Sequence, residues 1–221
     1  MHRPPWPAGP VLGVALALLI LLVGPLLLFN PAFTSLLQQR HGVAGAFGVP
    51  QDEVDRVTGE MLFDIWTDGS FDAAFSGDRP LLDERERSHM GDVAGFVRIL
   101  GAIVLVAAVL AAVMLAWLRR EPRRQGRVML LAAGGIGAVA VVLALAFAVA
   151  FEPTFLAFHA IFFPPGTYLF PTDSDLITLF PEGFWFDASL AAGGTVLLAA
   201  VLVSLVGLWR WRRAERSPDR A

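Results

Sequence analysis

The sequence predicts an all-α membrane protein with four transmembrane helices, a small helical extracytoplasmic cap and an aromatic, partly re-entrant last loop. Three observations predict it. Hydrophobic residues make up 56% of the 221 residues, and mean hydropathy is strongly positive, beyond what a soluble domain carries. Four apolar runs each approach the ~20 residues that span hydrocarbon as a helix. The arginines are segregated along the chain in the manner that orients membrane proteins.

The first segment, 1–30, carries the N-terminus and an apolar run from Val11 to Phe29. A cleaved signal peptide would be shorter and would be followed by a small-residue cleavage site. None precedes Asn30-Pro31, so an uncleaved helix is expected. Residues 31–92 are too many for a turn and too few for an independent domain with a large core, which suits a cap resting on the membrane. Within them Pro50, Gln51, Asp52 and Glu53 read as a helix start. Val54, Val57, Met61 and Ile65 then recur on one face, and Phe71 and Phe75 extend the apolar surface. Asp83 followed three residues later by Glu86 resembles a capping box, predicting a helix that runs unbroken into the second span, 93–118.

An Arg-rich loop, 119–127, leads to the third span, 128–151. Segment 152–188 interleaves Phe155, Phe158, Phe162, Phe163, Phe170, Phe180, Phe184, Trp185 and Phe186 with five prolines. Aromatic rings are favoured at a membrane interface, so this segment reads as an aromatic, partly re-entrant extracytoplasmic loop. The fourth span, 189–209, and a tail, 210–221, complete the chain. Small residues at Ala132-Ala133-Gly134-Gly135-Ile136-Gly137 and Ala191-Ala192-Gly193-Gly194 predict close helix packing.

All seventeen basic residues are arginine, and net charge is only -3. Eleven of them, including Arg3, Arg119, Arg120 and Arg210, fall at the N-terminus, in the 119–127 loop and in the tail, beside only three acids. The other six share the first loop and the mouth of the second helix with twelve acids, and five more acids lie in the last loop. The positive-inside rule therefore predicts cytoplasmic N- and C-termini and an acidic outer face.

Without cysteine there is no disulfide, thiol nucleophile or thiolate metal site. No nucleophile-elbow serine, phosphate-binding loop or dinucleotide fingerprint is present, and no basic aromatic surface suits nucleic acid. No cofactor or metal is predicted. The helix middles lack the ionisable residues that ion pathways need, with Arg98 alone well inside a span.

His2 is terminal and His41 sits in a Gly-rich stretch, leaving His89 and His159 as the informative histidines. An interfacial imidazole must find a partner or serve a function, and a lone one is as often an anchor. Two on the same face can take a proton from a nucleophile and return one to a leaving group, as acyl transfer requires. Asp92, Glu152, Asp173, Asp175 and Glu182 fall on the same side. Asp92 is placed to orient an imidazole, whereas the others are expected mostly to be solvated surface or helix caps.

The run Phe158-His159-Ala160-Ile161-Phe162-Phe163, with Leu169-Phe170, Asp175-Leu176-Ile177, Leu179-Phe180-Pro181-Glu182 and Phe184-Trp185 after it, resembles the last extracytoplasmic loop of the bacterial lipoprotein intramolecular transacylase (Lit) family. Ser88-His89-Met90-Gly91-Asp92-Val93 resembles its other signature. The resemblance implies a four-helix enzyme of the bacterial cytoplasmic membrane, with its active site on the extracytoplasmic face. Such an enzyme moves the sn-2 acyl chain of a diacylglyceryl-modified lipoprotein onto its N-terminal cysteine amine. The resemblance further implies His89 and His159 as the catalytic pair, with lipoproteins and membrane lipid as partners. Asp92, Arg98, Tyr168, Asp175 and Glu182 are the expected orienting or substrate-binding residues. The competing readings are a non-enzymatic accessory protein whose acidic cap binds a partner, and an interfacial acyltransferase or lipase-like enzyme acting on a different lipid.

Overall fold

The computed structural model describes residues 8–75 and 80–216. His2, Arg3, Asp78, Arg79, Asp219 and Arg220, on which part of the charge reading rests, lie outside them. Among the described residues the secondary structure is helical, without a strand.

Among the described residues three helices are long and apolar enough to cross a membrane: Glu84–Arg120, Pro122–Val149 and Glu182–Glu215. The first of these is α5 (Glu84–Trp117) closed by the 3-10 turn Leu118–Arg120, and the others are α6 (Pro122–Val149) and α9 (Glu182–Glu215). α1 (Ala8–Val23) is apolar but shorter than the run predicted from Val11 to Phe29, because Gly24-Pro25 breaks it and a 3-10 turn, Pro25–Phe29, follows. Gly24 has a packing reason as well: a Cβ there would collide with the Ala192 carbonyl of α9.

One compact unit joins α1 to the later part of α5, most of α6 and the later part of α9. Its interior is built from Leu12 and Leu16 of α1 against Ala107 and Ala111 of α5 and Met129 of α6, and from Ile20 against Ala133, Ala140, Val196 and Ala200. The large side chains Leu105, Leu131, Val142 and Leu205 stay exposed. Large apolar side chains left on the outside suit helices solvated by lipid tails, and the alanines inside let the helices approach closely. α6 also approaches α9 closely, where a Cβ on Gly126 would strike the Gly207 carbonyl. Of the glycines in the small-residue runs, Gly137 and Gly193 make ordinary helix contacts, while Gly134, Gly135 and Gly194 face open space. Fully buried Gln125 donates to the Leu115 carbonyl and accepts from Arg210.

The second unit comprises residues 25–100 and 146–191. After Asn30, whose side chain accepts from the Phe33 N–H, come α2 (Pro31–Arg40), α3 (Val43–Phe47) and α4 (Gln51–Thr67). α4 buries Val54, Val57, Met61 and Ile65, the face that helical spacing predicts, and each such burial stabilises by about 1.5–3 kcal/mol. Leu81, Leu82, Met90, Val97, Leu176 and Leu179 complete that core. The Asp83 and Glu86 cap forms as predicted, each carboxylate accepting the other residue's N–H at 2.8 Å.

The aromatic segment 152–188 departs most from expectation. Much of it is helix: α7 (Phe151–Phe162), α8 (Asp175–Leu179), and the first two turns of α9. The prolines lie at boundaries, where they cost no hydrogen bond. Pro153 occupies the first turn of α7, Pro164 and Pro165 follow its end, and Pro181 immediately precedes α9.

Candidate active site

His89 and His159 both belong to the second unit, on α5 and α7. Their rings lie 6.1 Å apart between centroids, with planes inclined by 30°. Phe163 and Phe170 stand at 5.2 and 5.5 Å from the His89 ring, and Phe155, Phe163 and Tyr168 at 4.2, 5.4 and 5.3 Å from that of His159. Helical i,i+4 spacing along α7 and its C-terminal cap brings Phe155, His159 and Phe163 onto one face.

The two imidazoles are held differently. Nδ1 of His159 lies 2.9 Å from the Phe155 carbonyl. A carbonyl only accepts, so Nδ1 carries the proton and the neutral ring keeps its lone pair on Nε2. Burial pushes the His159 imidazole below its ordinary pKa, and the bond to the Phe155 carbonyl opposes the shift without cancelling it. His89 is 6% exposed, and its Nδ1 is buried without a hydrogen-bond partner among the described residues. Orphaned buried polar atoms are rare and costly, which sets this nitrogen apart from an ordinary core histidine.

α5 and the aromatic wall are locked together by a residue whose second role sequence reading misses. Glu86, 2% exposed, not only caps its own helix but accepts the Leu176 N–H of α8 at 3.0 Å. At the other end of α8, fully buried Gln38 donates to the Leu179 carbonyl at 3.2 Å and to Thr58 at 3.0 Å. Clamped at both ends, α8 fixes the segment that begins with Phe170. No spacing rule links Glu86 to Leu176; only an unusually buried acid hints at it. His41, uninformative in the sequence, meets Asp187 at 2.8 Å, and its ring packs on Gly183 of α9.

The remaining expected site residues fall into two groups. Tyr168 stands against His159, and Asp92 is near enough to act on His89 through its charge. Asp175 and Glu182 lie instead in the first turns of α8 and α9, and Arg98 pairs with Asp68 at 2.8 Å, just past α4. Arg98 is nine residues beyond His89, about 13 Å along the helix. Among the described residues, no three side chains of metal-binding type are close enough together to hold an ion.

Comparison with known proteins decides the family. The model for the lipoprotein intramolecular transacylase Lit family matches residues 11–185. The chain belongs to that family. Lit membership makes it an acyltransferase at family level, acting on lipoproteins. Its fold is similar to the in meso structure of the membrane-integral Lit of Bacillus cereus, at TM-score 0.85 and 16% identity over 95% of this chain and 97% of that one. Two variants of the Bacillus cereus Lit, with one histidine replaced by arginine or by alanine, match at TM-scores of 0.77 and 0.78 with 16% and 15% identity. They cover 95% of this chain and 93% and 94% of theirs. A search of curated proteins gives no match.

Proposed function

We propose that this protein moves the sn-2 acyl chain of a diacylglyceryl-modified lipoprotein onto the amine of its N-terminal cysteine, giving a lyso-form lipoprotein. The observation that carries this reading is the pair of imidazoles facing each other within an aromatic wall, in a chain of the Lit family.

The attacking amine, with a pKa near 7.7–8.0, must shed a proton to become nucleophilic. Nε2 of His159 receives it, since Nδ1 is already committed to the Phe155 carbonyl. The amine nitrogen then bonds to the ester carbonyl carbon, and the resulting oxyanion lies beside His89. Collapse of that intermediate breaks the bond to the glyceryl oxygen, which takes a proton from the imidazole pair and leaves as the hydroxyl of the lyso-form, while the newly acylated nitrogen gives its second proton to the pair, which releases it to solvent. Phe155, Phe163 and Phe170 exclude water that would otherwise hydrolyse the ester. Phe158, Ile161 and Phe162 form an exposed apolar face of α7 suited to acyl chains and membrane lipid.

Tyr168 is a substrate-orienting group and Asp92 tunes His89 by its field. Asp175, Glu182 and Arg98 act through position, the first two at helix starts and the third on Asp68. In the same reading the chain crosses the cytoplasmic membrane four times, with α1 as the short first crossing, both termini cytoplasmic and the histidines on the extracytoplasmic face.

The test is expression in cells that make diacylated lipoproteins, followed by mass spectrometry of a lipoprotein N-terminus. The wild type is expected to yield N-acylated lyso-form product. His159→Ala and His89→Ala are each expected to lower its rate by about 10²–10⁴-fold. Unmodified lipoproteins with the wild type would favour an accessory role, and a fully active His159→Ala would remove the dyad from the mechanism.

A further inference from the structure

The proposed acyl transfer leaves one part of the substrate without a place. The cysteine whose amine meets His159 also bears the rest of a polypeptide, whose peptide groups cannot be left unpaired among phenylalanines or lipid tails. That chain needs a polar route out. Beside the aromatic wall lies a cleft of roughly 540 Å³, between the 80–87 stretch that opens α5 and the 170–175 stretch that leads into α8. Its size falls within the ~300–1,000 Å³ of ligand clefts.

We infer that this cleft is a polypeptide subsite, taking the residues that follow the N-terminal cysteine of the lipoprotein; the inference rests on the acyl-transfer reading. Phe170 joins the two places. One side of its ring environment is the imidazole of His89, at 5.5 Å, and another is the guanidinium of Arg85, 5.9 Å from the ring centroid. Arg85 and His89 are four residues apart on α5, about 6 Å along the axis, a distance that two extended residues cover. The first residues after the cysteine therefore cross Phe170, and those beyond them lie in the cleft.

The charges favour a peptide over a phosphate-bearing lipid headgroup. The lining offers four carboxylates (Asp83, Glu86, Asp173, Asp175) against two guanidinium groups (Arg85, Arg87). An anionic headgroup meets net repulsion there, whereas an extended backbone can use both donors and acceptors. Arg87 is half-buried and has no ion pair among the described residues, leaving its donors for peptide carbonyls. Arg85 already reaches toward the Leu169 carbonyl at 3.4 Å, the geometry in which a guanidinium reads backbone.

The experiment compares diacylglyceryl-cysteine amide with the same lipid-bearing cysteine followed by five residues, using the full-length protein in lipid bicelles and mass spectrometry of N-acylated product. In the wild type the longer substrate is expected to have a KM about tenfold lower, the worth of one or two charge-assisted hydrogen bonds. In Arg87→Ala the ratio of the two KM values is expected to fall below about threefold, and Arg87→Lys should restore part of it. A photoreactive group on the third residue of the long substrate should label 80–87 or 170–175. A KM ratio near one in the wild type, a ratio unchanged in Arg87→Ala, or labelling elsewhere overturns the subsite while leaving the acyl-transfer reading intact. Failure of the wild type to acylate either substrate overturns that reading and this inference with it.

Discussion

Nδ1 of His159 points at the carbonyl of Phe155, 2.9 Å away and one turn earlier on the same helix. That single backbone bond selects the tautomer, leaving the Nε2 lone pair free for a proton, and the surrounding rings make protonation costly. His89 has no comparable tether on its buried Nδ1. Two imidazoles in one aromatic pocket are thus held differently by their backbone surroundings.

The first consequence concerns pH. Because burial lowers the His159 pKa, the ring is expected to be mostly neutral at pH 6.5, where an unperturbed histidine is half protonated. Carbon-13 NMR of labelled histidine, assigned by comparison with His159→Gln, should give a midpoint below 6.5. A midpoint at or above 6.5 would refute the buried-base picture. The linked stability is full above the unfolded value of ~6.5 and is lost as pH falls toward the folded pKa, because the unfolded chain binds the proton first.

Glu86 should matter for stability out of proportion to an ordinary helix cap. Glu86→Ala removes the acceptor of both the Asp83 and Leu176 N–H groups, and about 2–4 kcal/mol of stability is expected to go with them. Glu86→Gln keeps a carbonyl oxygen and should lose less. Thermal unfolding in detergent, followed by tryptophan fluorescence, measures both. Equal unfolding temperatures for Glu86→Ala and wild type would show that the clamp on α8 is dispensable.

Helix packing makes a sharper prediction at Gly126 than in the longer glycine runs. Gly126→Ala places a methyl group against the Gly207 carbonyl, and overpacking of this kind costs about 1–3 kcal/mol. Gly134→Ala and Gly135→Ala meet open space and are expected to be neutral or slightly stabilising, since alanine is the better helix former. A chemical-unfolding series of the three variants would separate the cases, and identical midpoints would deny any special closeness at Gly126.

The absence of native cysteine makes orientation directly measurable. A single cysteine at Asp72 is expected to react with a membrane-impermeant maleimide in intact spheroplasts, whereas one at Arg120 should react only after lysis. The reverse pattern would invert the proposed topology.

Much of this protein is legible without coordinates, and the reason is that the responsible physics is local. Hydrophobic length marks α5, α6 and the later part of α9 as candidate spans, and the buried face of α4 follows from residues at 3.6-residue spacing. Asp83 and Glu86 announce a helix start because a capping box involves only neighbours in sequence. Proline content is less informative than proline position: α7 hides in an apparent loop because its prolines sit at helix ends, where no hydrogen bond is forfeited.

What only the tertiary structure decides are the relations between distant segments. Sequence alone nominates His89 and His159, but their 6.1 Å separation, the Phe155 carbonyl that orients one and the missing partner of the other depend on how α5 and α7 pack. Arg98 is a plausible site residue until its side chain can choose Asp68, and Glu86 is a plain helix cap until α8 arrives to use its second oxygen. Periodicity and capping are properties of a few consecutive residues, whereas a carboxylate's second partner is set by which remote backbone group the fold delivers to it.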